Sequence, residues 1–321
     1  MTYYVLLSRY KNTTRHHFVN SWHDEPNTYI SKTSKKKITE LVDKYQIHEL
    51  VAEDLLGLHI QDKVDVYDDH LSLVIHFPKY NTKSQRYLLN EMTITIGKNW
   101  IITTSRFETN TIIALKDKLT QEAQEYESDE KYKITPYYIL YEMIDMMYDK
   151  TSRILSNSAT DVFKLEEWLL SNTLNKQVLA DLMIKKRNIS FLHYNYRTHE
   201  ELIEETMKWL PKLYTEDLEV YFDDLLYRHQ KIMLNIGILQ ENIDSITVTY
   251  NWLMTVNTNT TLLWLTVFSG IMLPLTLITG MFGMNVPVPL SDHPYAFWYI
   301  IIGMASLVGA CVRWIKRNQI S

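Results

Sequence analysis

The stretch Pro274-Leu275-Thr276-Leu277-Ile278-Thr279-Gly280-Met281-Phe282-Gly283-Met284-Asn285 ends a long apolar run on a small polar tripeptide. No Asp, Glu, Lys or Arg occurs between Asp244 and Asp292. A second uncharged run goes from Pro294 to Val312. Crossing the roughly 30 Å hydrocarbon core takes about 20 helical residues. Two membrane spans are therefore predicted, over about 260–281 and about 295–314. Membrane helices tolerate the Gly270 and Pro274 of the first span. Tyr295, Trp298, Tyr299 and Trp314 fall near the ends of the second, where aromatic belts lie. The link between the spans carries no Lys or Arg, whereas Arg313, Lys316 and Arg317 lie at or past the end of the second span. That bias predicts a multi-pass protein of the cell (plasma) membrane with both termini in the cytosol and the link outside.

Working back from the spans, Phe222, Leu225, His229, Ile232, Ile236, Leu239, Ile243, Ile246, Tyr250 and Leu253 follow steps of three and four without a break. This is a heptad seam, which packs helices lengthwise. It runs into the first span with no proline at the junction, so one helix from Phe222 to about Gly280 is predicted. Such a helix would be roughly 85 Å long at about 1.5 Å per residue. A small domain cannot cover it, so partner copies are expected, in a number that the heptad does not fix.

Upstream, Pro136 suits a first helical turn. Tyr137 to Ser171 reads as one helix, Asn172 to Asn175 as a turn, and Lys176 to Leu213 as a second helix that Pro211 should end or kink. Residues 1–130 read as α/β. Tyr3–Leu7, Leu71–Phe77, Tyr87–Ile96 and Trp100–Ser105 are strand-like, with Gly97-Lys98-Asn99 as a hairpin turn. Ser34 to Gly57 has helical spacing at Ile38, Leu41, Val42, Tyr45, Leu50 and Leu55. The expected fold is an α+β cytosolic domain (1–130), a helical stalk region (131–254) and a transmembrane domain with two C-terminal helices (255–321).

The remaining composition excludes more than it assigns. A net charge of −5 over 321 residues gives no basic footprint for nucleic acid. The single cysteine, Cys311, lies in the second apolar run and allows neither an intrachain disulfide nor a cysteine metal site. The N-terminus has too short an apolar core for a signal peptide. No phosphate loop, Ser/His/Asp set or zinc-hydrolase motif occurs, so neither an enzyme nor a resident cofactor is expected. His16-His17 cannot share one face of a strand or helix, and Lys35-Lys36-Lys37 reads as a solvated turn or helix start.

A membrane helix ending in Gly283-Met284-Asn285, followed by a short loop and a second span near the C-terminus, resembles the CorA-type magnesium transporter family. The order of the whole chain fits that resemblance. The resemblance implies a homopentameric channel whose first span lines the pore. It implies a selectivity filter at Gly283, Met284 and Asn285, with Asn259 and Thr276 as pore-lining polar residues. Leu262, Leu265 and Leu273 fall where the family narrows the pore with apolar side chains. The bland alternative for Thr276 and Asn259 is a side chain bonded back to its own helix; for the leucines it is lipid or helix contact.

The resemblance also implies regulation by cytosolic Mg²⁺ bound between neighbouring domains. Asp224, beside Asp223, matches the stalk position. The partner position is Asn81, a departure, because a neutral partner weakens a dication site; Asp65, Asp68 or Asp69 are the possible substitutes. The alternative for Asp223 and Asp224 is a solvated helix face. The loop Val286–His293 departs too, with Asp292 its one acidic residue, which predicts weaker attraction of cations to the mouth.

The leading expectation is passive, potential-driven Mg²⁺ uptake, with membrane, divalent cations and further copies of the chain as partners. About 100 mV is worth roughly 2.3 kcal/mol per elementary charge, so a dication needs no ATPase. The first alternative is a cobalt, nickel or zinc transporter of the same superfamily, although Met284 favours Mg²⁺. A membrane-anchored coiled-coil scaffold explains the seam and spans but not Asn259, Thr276 and Asn285 in one segment. A membrane-tethered enzyme lacks a catalytic constellation.

Overall fold

The computed structural model describes residues 2–6, 32–57, 59–98, 100–105, 110–125, 134–171, 176–214, 218–285 and 294–318. The expected turn at 172–175, His16-His17 and the loop 286–293 with Asp292 lie outside the described residues. The chain forms two compact units, Met1–Thr247 and Val248–Ser321.

In the first unit, β1 (Thr2–Leu6), β2 (Lys63–Val66), β3 (His70–Asn81), β4 (Arg86–Gly97) and β5 (Trp100–Ser105) form one antiparallel sheet in the order β1-β5-β4-β3-β2. Strands 3 to 5 are buried on both faces, so helices must cover both. Alternation along β5 shows how. Ile102 packs with Ile38, Ile47, Val51 and Leu55 of the helical segment α1 (Lys32–Tyr45) to α2 (Glu49–Leu56). Thr103, pointing the other way, reaches Met143 Sδ at 3.9 Å. Met143 belongs to α4 (Pro136–Ser171). Burying each such aliphatic side chain contributes about 1.5–3 kcal/mol.

The helical reading of Ser34–Gly57 is two helices, not one. Gln46 is left-handed (φ 52°), and Ile47 N–H donates to the Val42 carbonyl at 3.0 Å. That six-to-one bond is a Schellman stop. It is hidden in sequence because Gln stands where glycine usually does. Leu50, counted above as part of the apolar face, is exposed, on the far side of α2 from Val51 and Leu55. Sequence reasoning also missed β2 and α3 (Asn110–Glu125).

The predicted helix Lys176–Leu213 is likewise two, α5 (Lys176–Tyr196) and α6 (His199–Leu213). The break at Arg197-Thr198 has no Gly or Pro to announce it. There Thr198 Oγ1 donates to Asp62 Oδ2 at 2.5 Å, a tertiary contact with the loop before β2. Pro211 sits inside α6, which ends two residues later.

Helix α7 runs from Glu219 to Phe282 without interruption, as the seam predicted. Within the first unit Phe222, Leu225, His229, Ile232, Ile236, Leu239, Ile243 and Ile246 are all buried. Their cover comes from the same chain: Tyr148 of α4 and His199 of α6 lie against His229, and Lys186 of α5 reaches Asp244 at 2.7 Å. Burial of the seam in this unit is therefore supplied by the chain's own helices, while the part of α7 beyond it is exposed in the single chain. The remaining element is α8 (Ala296–Asn318).

Candidate functional site

In the second unit the C-terminal part of α7 carries the predicted filter and pore residues. At about 100° per residue, Asn259, Leu262, Leu265, Leu273 and Thr276 fall within an arc of about 120°. All five are exposed in the single chain. The apolar helices α7 and α8 are long enough to cross a membrane, and the most apolar window of each has no buried residue. Large exposed apolar surface of this kind marks a face that lipid or protein covers.

The polar groups on this helix are constrained. Thr276 Oγ1 donates back to the Met272 carbonyl at 2.9 Å. Its proton is therefore occupied, but its oxygen lone pairs remain able to accept. Pro274 has no N–H, which leaves the Gly270 carbonyl without its backbone donor four residues on.

The helix closes at the tripeptide. Gly283 N–H donates to the Thr279 carbonyl at 3.0 Å, and Met284 N–H reaches the Met281 carbonyl at 3.4 Å. Gly283 does not have a positive φ. A Cβ there would lie 3.1 Å from the Thr279 carbonyl oxygen, a tight contact that a shift of a few tenths of an ångström would relieve. Met284 and Asn285 follow as exposed bends beyond the last turn.

A second set of candidates lies in the first unit, where Asp224 is already engaged. Its Oδ2 accepts from Tyr141 Oη and from Arg228 Nε, both at 2.9 Å. Arg228 also lies 2.6 Å from Asp145, an ion contact without hydrogen-bond geometry, and its Nη1 donates to Asp149 at 2.9 Å. Burial pushes the Asp145 carboxyl up to about 6; Arg228 opposes that, while Asp149, Asp224 and Glu142 add to it. Burial, then the Asp224 carboxylate, raises the Tyr141 phenol. For Arg228, burial works against the charge, but Asp224, Asp145 and Asp149 outweigh it and hold the guanidinium above its ordinary pKa. Sequence reasoning missed Tyr141, Asp145, Asp149 and Arg228. Their signals were two four-residue spacings, Asp145/Asp149 and Asp224/Arg228.

Asp223 is exposed beside this cluster. Asn81 lies elsewhere, at the tip of the β3–β4 hairpin, where its Oδ1 accepts from the Lys83 and Ser84 backbone N–H groups. Asp65 pairs with Lys63 at 2.9 Å, and Asp69 with His70 at 2.6 Å; Asp68 is in the turn between β2 and β3. Among the described residues no group of three or more His, Cys, Asp or Glu side chains is arranged to hold a metal ion.

Comparison with known proteins agrees with this layout. The chain is 22% identical over 276 residues to the "Cobalt/magnesium transport protein CorA" of Thermotoga maritima, covering 86% of this chain and 77% of that protein. It is 23% identical over 188 residues to the "Zinc transport protein ZntB" of Pectobacterium carotovorum, covering 56% and 55%. The complete CorA magnesium transporter structure from Methanocaldococcus jannaschii superposes with a TM-score of 0.73 at 20% identity, over 88% of this chain and 87% of that one. The model of the CorA-like Mg²⁺ transporter protein family matches residues 29–317. The chain therefore belongs to the CorA-like Mg²⁺ transporter protein family, a family of divalent metal ion transporters rather than enzymes.

Proposed function

We propose that this chain assembles as a homopentameric channel of the cell membrane that passes Mg²⁺ into the cytosol down the membrane potential. The observation that carries the reading is the Gly283-Met284-Asn285 tripeptide at the very end of α7, above Asn259 and Thr276 on one arc of the same helix. Mg²⁺ gives up its water reluctantly and demands octahedral oxygen geometry. A ring of neutral Asn285 side chains can hydrogen-bond the waters of the hydrated ion without stripping them. A ring of carboxylates would hold the ion too tightly for release. Leu262, Leu265 and Leu273 then narrow the pore, and apolar constrictions gate by dewetting. Both termini lie in the cytosol, with 1–130 as the α/β domain, 131–254 as the stalk and 255–321 as the pore domain. Asp224 and Asp223 of one copy would face Asn81 of the next as a weakened regulatory Mg²⁺ site.

A second reading, transport of Co²⁺, Ni²⁺ or Zn²⁺ by the same route, is favoured by the names of two relatives, one a cobalt/magnesium and one a zinc transport protein. The test of both is dye-reported influx into proteoliposomes under an inside-negative potential, with each ion run separately. Mg²⁺ influx that collapses in Asn285→Ala supports the leading reading. Zn²⁺ flux without Mg²⁺ flux would transfer the site to the second. No dication flux in a correctly assembled oligomer sinks both.

A further inference from the structure

The first unit contains a buried chain of imidazoles that the transport reading does not use. It joins the sheet to α6 and α7. His76 of β3 (3% exposed) places Nδ1 at 2.8 Å from Asp62 Oδ1, which also accepts the His76 backbone N–H at 2.9 Å. His76 Nε2 faces the His59 carbonyl at 3.1 Å. A carbonyl can only accept, so Nε2 carries a proton. Nδ1, facing a carboxylate, carries the other. His76 and Asp62 are therefore an imidazolium–carboxylate pair with little side-chain exposure.

The next ring, His199 of α6, is fully buried. Its Nε2 lies 3.1 Å from the His76 carbonyl and 3.4 Å from Asp62 Oδ2, so the proton sits on Nε2. Its Nδ1 lies 3.3 Å from Tyr148 Oη, which can donate to it. Burial favours the neutral ring at His199. Beyond it, the His229 ring of α7 lies 6.1 Å away, buried, with no hydrogen-bond partner for Nδ1 among the described residues. Protonating either ring would place a second cation beside the His76 imidazolium or against Tyr148 and Tyr196, with Asp62 already engaged by His76 and only Glu200 acting in favour of charge on His229. The charged groups that face the cluster are Asp62 from the loop before β2, Glu91 from β4 and Glu200 from α6.

We infer that this cluster is a two-sided pH latch that clamps α6 and the 219–247 part of α7 to the sheet near neutrality and loosens when the medium is made either acid or alkaline. The direction of each limb follows from linkage. For His76, burial works against the charge, but Asp62 outweighs it and holds the pKa above the usual 6.5. That contribution is complete below 6.5 and is lost as pH rises through the raised value. Burial pushes His199 down to about 4, against Asp62, and lowers His229 as well. These rings bind fewer protons folded than unfolded, so they cost nothing above 6.5 and increasingly oppose the clamp as pH falls below it.

The experiment is hydrogen–deuterium exchange of the full-length protein in detergent, corrected for intrinsic exchange. It is run between about pH 5 and pH 9, which brackets the histidine range. Peptides from β3, α6 and 219–247 should be most protected near neutrality, with protection falling by up to about tenfold per pH unit for each proton involved. His229→Phe, which removes a nitrogen from a ring-lined space, should fold and make the acid limb shallower by the share of His229, leaving that of His199. The double variant Asp62→Asn/His76→Gln should flatten the alkaline limb without stranding a buried charge. Protection that is flat with pH, that falls in parallel across the whole first unit, or whose acid limb is as steep in His229→Phe as in the wild type would overturn the latch. The readout needs no transport, so it stands or falls independently of the ion carried.

Discussion

Asp224 and Arg228, one turn apart on α7, are joined by an Nε–H to Oδ2 bond of 2.9 Å, and the same guanidinium reaches across to Asp145 and Asp149 of α4. Asp224 is thus neutralised within its own chain. Together with the neutral Asn81, this argues that a dication sensor built on Asp224 starts from a weak position. The cluster has a resident cation, delivered on a side chain.

Removing that cation tests the point. In Arg228→Ala, Asp145, Asp149 and Asp224 are left facing one another with Glu142 nearby. The guanidinium is one third exposed, so screening limits the loss to about 1–2 kcal/mol. The expected outcome is a lower melting temperature without divalent ions, restored by millimolar Mg²⁺ in the variant and hardly moved by Mg²⁺ in the wild type. Melting curves with and without Mg²⁺ decide it, and equal Mg²⁺ responses would contradict the resident-cation argument.

Asp145 gives a pH dependence with a definite sign. Its carboxyl is raised from 3.8 to about 6. The folded state then binds the proton more tightly than the unfolded chain, so stability falls as pH climbs from about 4 to about 6 and stays reduced above. Asp145→Asn should recover that loss at pH 7 and gain nothing near pH 4. At about 1.4 kcal/mol per pKa unit the gain is at most about 3 kcal/mol, and partial exposure of Arg228 reduces it. Denaturant melts at the two pH values measure it.

Gly97 tests the fold itself. A Cβ there would lie 2.4 Å from the Trp100 ring, which packs at a tilt of 38° against Tyr45 of α1, while the Gly97 carbonyl accepts from Tyr214 Oη at 2.6 Å. Gly97→Ala should destabilise the first unit by about 1–3 kcal/mol, the usual cost of overpacking. Trp100→Leu in the same background should recover part of that loss. An unchanged melting temperature in Gly97→Ala would show that the ring moves freely.

The Gly97-Lys98-Asn99 turn shows what the sequence could and could not convey. The turn itself was legible, since glycine punctuates two β-rich runs. The reason for the glycine was not, because it depends on where the Trp100 ring lands. The long strands and α7 were legible for the same cause: their patterns repeat over many residues. The breaks at Gln46 and Thr198 were not, because a local Schellman bond closes the first around a Gln and a tertiary contact with Asp62 accompanies the second, with no Gly or Pro at either. The tripeptide was visible as a motif, whereas the His76–Asp62 pair and the contacts that tie α7 to α4 around Arg228 span 14 to 83 positions.

At the end of α7, Gly283→Ala places a methyl 3.1 Å from the Thr279 carbonyl and presses on the 3.0 Å bond between Gly283 N–H and that oxygen. The strain is a few tenths of an ångström, so folding and assembly should survive. Asn285 would nonetheless be carried out of register with its counterparts in the other copies. Flux should fall while the size-exclusion profile is unchanged. Flux equal to wild type would show that the mouth does not depend on the path of this turn.

Thr276 separates a pore role from a purely helical one. Its proton is held by the Met272 carbonyl, so only its lone pairs can face an ion's hydration shell. Such back-bonding slightly destabilises helices. Thr276→Val removes the acceptor and the back-bond together and keeps the shape, so stability should hold or rise slightly. Losing one hydrogen bond to a passing hydrated ion, worth about 0.5–1.5 kcal/mol, should cut Mg²⁺ influx by roughly twofold to tenfold. Thr276→Ser should restore most of the flux, because the acceptor returns with the same helical back-bond available. If both variants conduct like the wild type while Asn285→Ala does not, the hydroxyl serves the helix alone and ion selection rests on the mouth. If Val conducts poorly and Ser conducts well, the arc that carries Thr276 lines the ion path.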